Sequence, residues 1–136
     1  MIDKERLDAL FTEAQKIAEK AYAPYSKFRV GAALLCEDGS VITGVNVENR
    51  SFGLTICAER NAVTTAVTLG HRRFLALAIS TPDSSEPVGP CGACRQVISE
   101  FMPPDAAVRF SGNGQNQVNT TVGELLPWDS LYDLKS

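Results

Sequence analysis

Residues 57–101, CAERNAVTTAVTLGHRRFLALAISTPDSSEPVGPCGACRQVISEF, carry the order helix, strand, helix that decides the architecture. Residues 57–69 contain neither proline nor glycine and are followed by Gly70, so they read as a helix with its usual terminator. Residues 74–80 form a short apolar run, the length and character of a strand buried on both faces. The loop 81–90 holds three prolines, which remove backbone donors and fix φ, so no regular structure is expected there. Pro90 then stands at the entrance of a second short helix, 91–101, where its missing N–H does no harm, and Pro103-Pro104 ends that helix.

Working outward, Leu7, Leu10, Phe11, Ala14, Ile17, Ala18 and Ala21 recur at helical spacing and predict an amphipathic first helix over 3–21, stopped by Pro24. The apolar run 28–36, the turn residues Glu37-Asp38-Gly39-Ser40 and the β-rich run 41–47 predict a hairpin. Residues 49–56 read as a loop. Downstream, 106–110 reads as a strand, 112–119 as a polar linker and 122–126 as a helical turn. Neither an internal repeat nor a domain-scale linker interrupts the chain. The expectation is an α/β fold, a single domain over 1–136, with one central mixed sheet between helices and its later strands parallel.

With 136 residues, 44% of them hydrophobic and 21% charged, the chain has the composition of one soluble globular domain. Folding at this length buries roughly two-thirds of the unfolded surface, so a metal is not needed to hold the core and would signal chemistry. Thirteen Lys and Arg against sixteen Asp and Glu give a net charge of -3, and no basic tract exceeds His71-Arg72-Arg73. Phosphate-driven binding needs a concentrated positive face, so a nucleic-acid partner is not expected. Residues 1–6 alternate in charge rather than resembling a signal peptide, and no apolar stretch approaches the ~18 residues of a membrane span. A cytoplasmic protein without a membrane partner is the expectation.

Four cysteines, 36, 57, 91 and 94, then need an explanation, because a reducing compartment favours metal ligation or catalysis over disulfides. Cys91 and Cys94, three apart at a helix start, share a face, and Cys57 opens the other helix. Helix N-termini carry positive potential and favour thiolates. Three sulfurs with a vacant fourth position is the catalytic zinc pattern, and Arg60 and Arg95 are candidates to offset the surplus negative charge. A structural zinc site would need a fourth ligand from Cys36, inside a buried strand, or His71, in a helix-exit turn. A redox Cys-x-x-Cys pair would need no third cysteine. These non-enzymatic modules are the alternative class. Glu59 lies two residues past Cys57, off the ligand face of a helix, and is expected to move protons rather than bind metal.

Cys57-Ala58-Glu59-Arg60 together with Pro90-Cys91-Gly92-Ala93-Cys94-Arg95-Gln96 resembles the zinc signature of cytidine deaminases. Residues 25–33, 43–49 and Glu124-Leu125-Leu126-Pro127 are similar to the small homotetrameric form of that family, so the likeness spans almost the whole chain. The resemblance implies a three-layer α-β-α sandwich with a central mixed five-stranded sheet. It implies one Zn²⁺ per subunit on Cys57, Cys91 and Cys94, with Arg60 beside them. The reaction implied is hydrolysis of cytidine and 2′-deoxycytidine to uridine and 2′-deoxyuridine with release of ammonia, as in pyrimidine salvage. By the same resemblance Glu59 is the proton shuttle, Asn46 and Glu48 hold the ribose 3′-hydroxyl, Phe28 packs against the nucleoside, and Ala58 offers its N–H to the pyrimidine. Blasticidin S deaminases share the metal signature and supply a modified nucleoside as the alternative substrate. A polynucleotide editor is disfavoured by the charge and by a sugar clamp that a 3′-phosphodiester would obstruct. The chain departs from the family at its carboxyl end: Trp128 comes earlier, and Tyr132 later, than the aromatic that follows Leu-Leu-Pro elsewhere and reaches over a neighbouring subunit's base.

Overall fold

Asp3 caps the first helix, α1 (Lys4–Ala18), its carboxylate accepting the Arg6 N–H at 2.8 Å and so satisfying one of the donors a helix start leaves open. The structure, a computed structural model, describes residues 2–134. Helix α1 ends before the expected residue 21, because Lys20 and Ala21 bond back to Ile17 and Ala18, three residues earlier, in a tightened last turn. Its Leu7, Leu10 and Ala14 pack with Ala33, Leu35, Ala76 and Ala78.

Those last four belong to strands β1 (Gly31–Cys36) and β3 (Phe74–Ser80), which pair antiparallel. Their alternate residues, Ala32, Leu34, Leu77 and Ile79, face the other way and join the larger core beneath the remaining helices. Strand β1 starts at Gly31 rather than residue 28. A Cβ on Gly31 would lie 2.1 Å from the Ala14 carbonyl oxygen, so helix and strand backbones touch there. β2 (Val41–Val45) completes the hairpin, and β4 (Ala107–Ser111) lies parallel to β3 as expected.

A fifth strand, β5 (Gln117–Thr121), pairs antiparallel with β4 where residues 112–119 alone read as a polar linker. The correction has a physical reason: Gln117, Val118 and Asn119 are exposed on an outer edge, so no apolar alternation marks them. The sheet runs β2-β1-β3-β4-β5.

Helices α2 (Ala58–Thr68) and α3 (Gly92–Phe101) cover the second face, with the short α4 (Val122–Leu125) beside α3. Together with α1 they make the three-layer α-β-α sandwich. Close contact fixes α2: a Cβ on Gly44 of β2 would meet the Ala62 nitrogen at 2.4 Å and the Ala58 oxygen at 2.6 Å. This contact sits at the first turns of α2 and therefore places Cys57.

Candidate active site

Cys57 and Cys91 are the N-cap residues of α2 and α3, both extended in φ and ψ and neither using its side chain to cap. The thiols are therefore directed to each other. Cys57 Sγ lies 4.0 Å from Cys91 Sγ, Cys91 Sγ lies 3.6 Å from Cys94 Sγ, and all three fall within 4.8 Å of one another. Tetrahedral zinc with Zn–S bonds near 2.3 Å separates its sulfurs by about 3.8 Å, so the donor set fits that ion. Among the described residues no other group of three metal-ligating side chains converges in this way. Cys36 is buried in β1, and His71 faces Asp38 at 3.7 Å; neither joins the cluster.

Arg60 Nη2 donates to Cys57 Sγ at 3.3 Å. The Cys57 thiol is pulled down to about 5, chiefly by its hydrogen bond with Cys94 and then by Arg60. That same bond, with burial, pushes the Cys94 thiol up. Arg95 does not share this work: its Nε donates to the Pro90 carbonyl at 2.8 Å and its Nη1 to Leu125 at 3.1 Å, bracing the loop before α3. Of the two arginines expected to offset sulfur charge, Arg60 alone has a hydrogen bond to it.

A cleft of about 180 Å³ opens beside the sulfurs, lined in part by Phe28, Asn46, Cys57, Ala58, Glu59 and Cys91. Glu59 is 5% exposed, and burial pushes its carboxyl up to about 7. Ala58, the first residue of α2, precedes the first intrahelical bond (Asn61 N–H to Cys57 O, 3.0 Å), so helix geometry leaves its N–H without an intrahelical acceptor. Asn46 is buried and braces the segment before β1: its Oδ1 accepts from Val30 N at 2.9 Å and its Nδ2 donates to Phe28 O at 2.8 Å. Glu48 does not line the cleft; its carboxylate accepts from Tyr25 N at 3.0 Å, Ser26 N at 3.1 Å and Ser26 Oγ.

Val30, Thr55, Ile79, Thr81, Val88 and Gly89 also line the cleft and escaped sequence reasoning. Thr81 had a usable signal, since it directly follows a strand that pairs in parallel, and ligands gather at the carboxyl ends of such strands. Neither Trp128, 92% exposed, nor Tyr132 reaches the cleft of its own chain.

Comparison with known proteins adds independent findings. Residues 4–109 match the family model described as the cytidine and deoxycytidylate deaminase zinc-binding region. A cytidine deaminase of Halalkalibacterium halodurans is 53% identical over 119 residues, covering 87% of this chain and 89% of that one. The crystal structure of a cytidine deaminase from Burkholderia pseudomallei superposes with a TM-score of 0.84 at 46% identity, covering 89% of this chain and 96% of the other. A blasticidin-S deaminase of Bacillus cereus is 38% identical over 109 residues, 75% of this chain and 76% of that one.

Proposed function

The chain belongs to the cytidine and deoxycytidylate deaminase family, and from that membership we propose that it hydrolyses cytidine and 2′-deoxycytidine to uridine and 2′-deoxyuridine, releasing ammonia for pyrimidine salvage. It is a zinc hydrolase. The observation that carries the reading is the meeting of three cysteine sulfurs, from two helix starts, beside a cleft that the buried Glu59 carboxyl also lines.

Cys57, Cys91 and Cys94 hold the zinc, one per chain, and Arg60 offsets part of their charge. When bound, the ion supplies Lewis acidity that makes water acidic near neutral pH. Glu59 takes one proton from the attacking water and delivers it to the pyrimidine N3, then takes the remaining hydroxyl proton from the oxygen added at C4 and gives it to the departing amine, so that water's two protons end on N3 and on ammonia as C4=O forms and the C4–N bond breaks. One carboxyl near both sites serves both steps, and burial keeps it poised to exchange a proton near neutrality. The Ala58 N–H orients the pyrimidine carbonyl, as the open donors of a helix start can. Phe28 packs against the base. Asn46 binds the ribose 3′-hydroxyl, keeping donor and acceptor capacity beyond its two backbone bonds. Glu48 joins that grip through the carboxylate it now shares with Ser26.

The partner is a free nucleoside, and the enzyme works as a cytoplasmic homotetramer. Four free cysteines suit a reducing compartment. Tyr22, Phe52 and Leu54 expose apolar surface, and Phe52 stacks edge-on with Tyr25 at 6.0 Å in the segment leading to Phe28. The cleft is smaller than the ~300–1,000 Å³ of typical ligand pockets, which supports completion by another copy. No helix among the described residues is long and apolar enough to cross a membrane.

The test follows ultraviolet absorbance as cytidine becomes uridine, with ammonia measured in parallel. Equal amounts of uridine and ammonia are expected, with kcat/KM for cytidine at least about 100-fold above that for blasticidin S, since the proposed grip of Asn46 and Glu48 recognises the unmodified ribose that the modified nucleoside lacks. A preference for the antibiotic would replace the proposed substrate, and no turnover with zinc bound would reject the activity.

A further inference from the structure

The segment between α1 and β1 is shaped almost wholly by side chains. Of its six backbone N–H groups from Tyr25 to Val30, those of Tyr25 and Ser26 bond to Glu48, Phe28 to Ser26 Oγ, Arg29 to Asp83 and Val30 to Asn46. The Lys27 N–H bonds a backbone carbonyl, that of Ala23, at 3.0 Å. Lys27 itself holds φ at 60°, in the left-handed region that residues with a Cβ seldom occupy. Four of these six bonds therefore reach side chains outside the segment, which hold the strap in this shape. It carries Phe28 and Val30 into the cleft.

Arg29, between these two residues, has a different set of partners. Its Nε and Nη2 bond the two carboxylate oxygens of Asp83 at 3.0 and 2.8 Å, and its backbone N–H reaches the same carboxylate at 2.9 Å. The outer nitrogen, Nη1, meets Glu19 at 2.9 Å. Asp83 stands two residues beyond Thr81, which lines the cleft at the end of β3. A guanidinium fork on a carboxylate fixes angle as well as distance, unlike a point-charge pair. The Arg29 and Asp83 side chains are 34% and 27% exposed, so this bridge is better shielded than the surface pairs that contribute little.

We propose that the Arg29–Asp83 bridge is a positioning clamp for the nucleoside cleft, tying the Phe28–Val30 strap to the loop after Thr81 and thereby setting substrate affinity. The inference rests on the deaminase reading and goes beyond it. Neither clamp residue lines the cleft; their influence reaches a bound nucleoside through Phe28, Val30 and Thr81. Loosening the clamp removes binding common to ground and transition states, which raises KM and spares kcat.

The experiment measures KM and kcat for cytidine, zinc content and melting temperature in the full chain carrying Asp83→Asn, Arg29→Lys or Glu19→Gln. Asp83→Asn is expected to raise KM about tenfold with kcat within about twofold and zinc retained. Arg29→Lys keeps the backbone bond but loses the fork, so its KM rises less, about threefold, and it reports on the clamp should Asp83→Asn fail to fold. Glu19→Gln, which touches only the outer nitrogen, leaves KM at the wild-type value. An unchanged KM in folded, zinc-loaded Asp83→Asn and Arg29→Lys would overturn the clamp, as would a loss confined to kcat or an equal rise in Glu19→Gln. A zinc-loaded wild type inactive on cytidine would instead overturn the deaminase reading, and the clamp with it.

Discussion

Glu59 lies at the first turn of α2, two residues from Cys57 and outside the sulfur cluster, with burial raising its carboxyl to about 7, a placement that supports the proposed proton shuttle. Glu59→Gln is expected to lower kcat at least ~100-fold while zinc content stays at the wild-type level, measured on one preparation by absorbance and metal analysis. The thiols divide as cleanly. Cys94→Ser is expected to lose zinc, whereas Cys36→Ser and His71→Ala retain it, because neither Cys36 nor His71 approaches the cluster. Zinc loss in either of the last two would point to a structural four-ligand site. The pairing of Cys91 with Cys94 was legible because Cys-x-x-Cys at a helix start is a local geometry, and the approach of Cys57 because it too opens a helix. Arg95 was not, since its bonding depends on the Leu125 carbonyl, 30 residues away, which no helical spacing reveals. The contact between Glu48 and Ser26, 22 residues apart, was likewise invisible to local spacing.

At the scale of elements, the approach of α2 to β2 at Gly44 determines where Cys57 and Glu59 stand. Gly44→Ala would force backbone apart on both sides, with a stability loss of about 1–3 kcal/mol in urea unfolding and weakened zinc retention. A variant of wild-type stability and zinc content would show that the contact does not fix the site. Helix α1 was readable from its periodicity, and β1 and β3 from continuous apolar runs, because the alternate faces of these strands meet two different cores. β5 was not, because pairing rather than burial defines an exposed edge. Residues 28–30 were read as the start of a strand because Phe28 and Val30 are apolar; the shape of the strap at 25–30 draws on Asn46, Glu48 and Asp83, all distant in sequence. One of these contacts has a pH signature. The Arg29 guanidinium holds the Asp83 carboxyl down to about 2, so this interaction's stability is fully present above the ordinary carboxylate pKa near ~4 and is lost as pH falls through about 2. The stability difference between wild type and Asp83→Asn is expected to be constant from about pH 7 to 5 and to shrink below about 4, as read from urea unfolding. A difference that grew with acidification would contradict the assignment.

For the whole molecule, the sheet acts as the frame that brings two helix starts together, while α1 is fastened from the opposite face. Arg109, 4% exposed on β4, pairs there with Asp8 of α1 at 2.5 Å and with Asn119 of β5 at 2.7 Å, so a buried cation joins three elements with its charge compensated. The assembly is expected to scatter light as about four times the 14.7 kDa chain mass, and a monomer with full activity would refute the need for neighbouring copies. The most direct measurement is a zinc titration of the metal-stripped protein with cytidine turnover followed at each addition. Activity should be absent without metal and rise linearly to a plateau at one zinc per chain. Turnover by the stripped protein, or a fully loaded protein that leaves cytidine unchanged, would contradict the account.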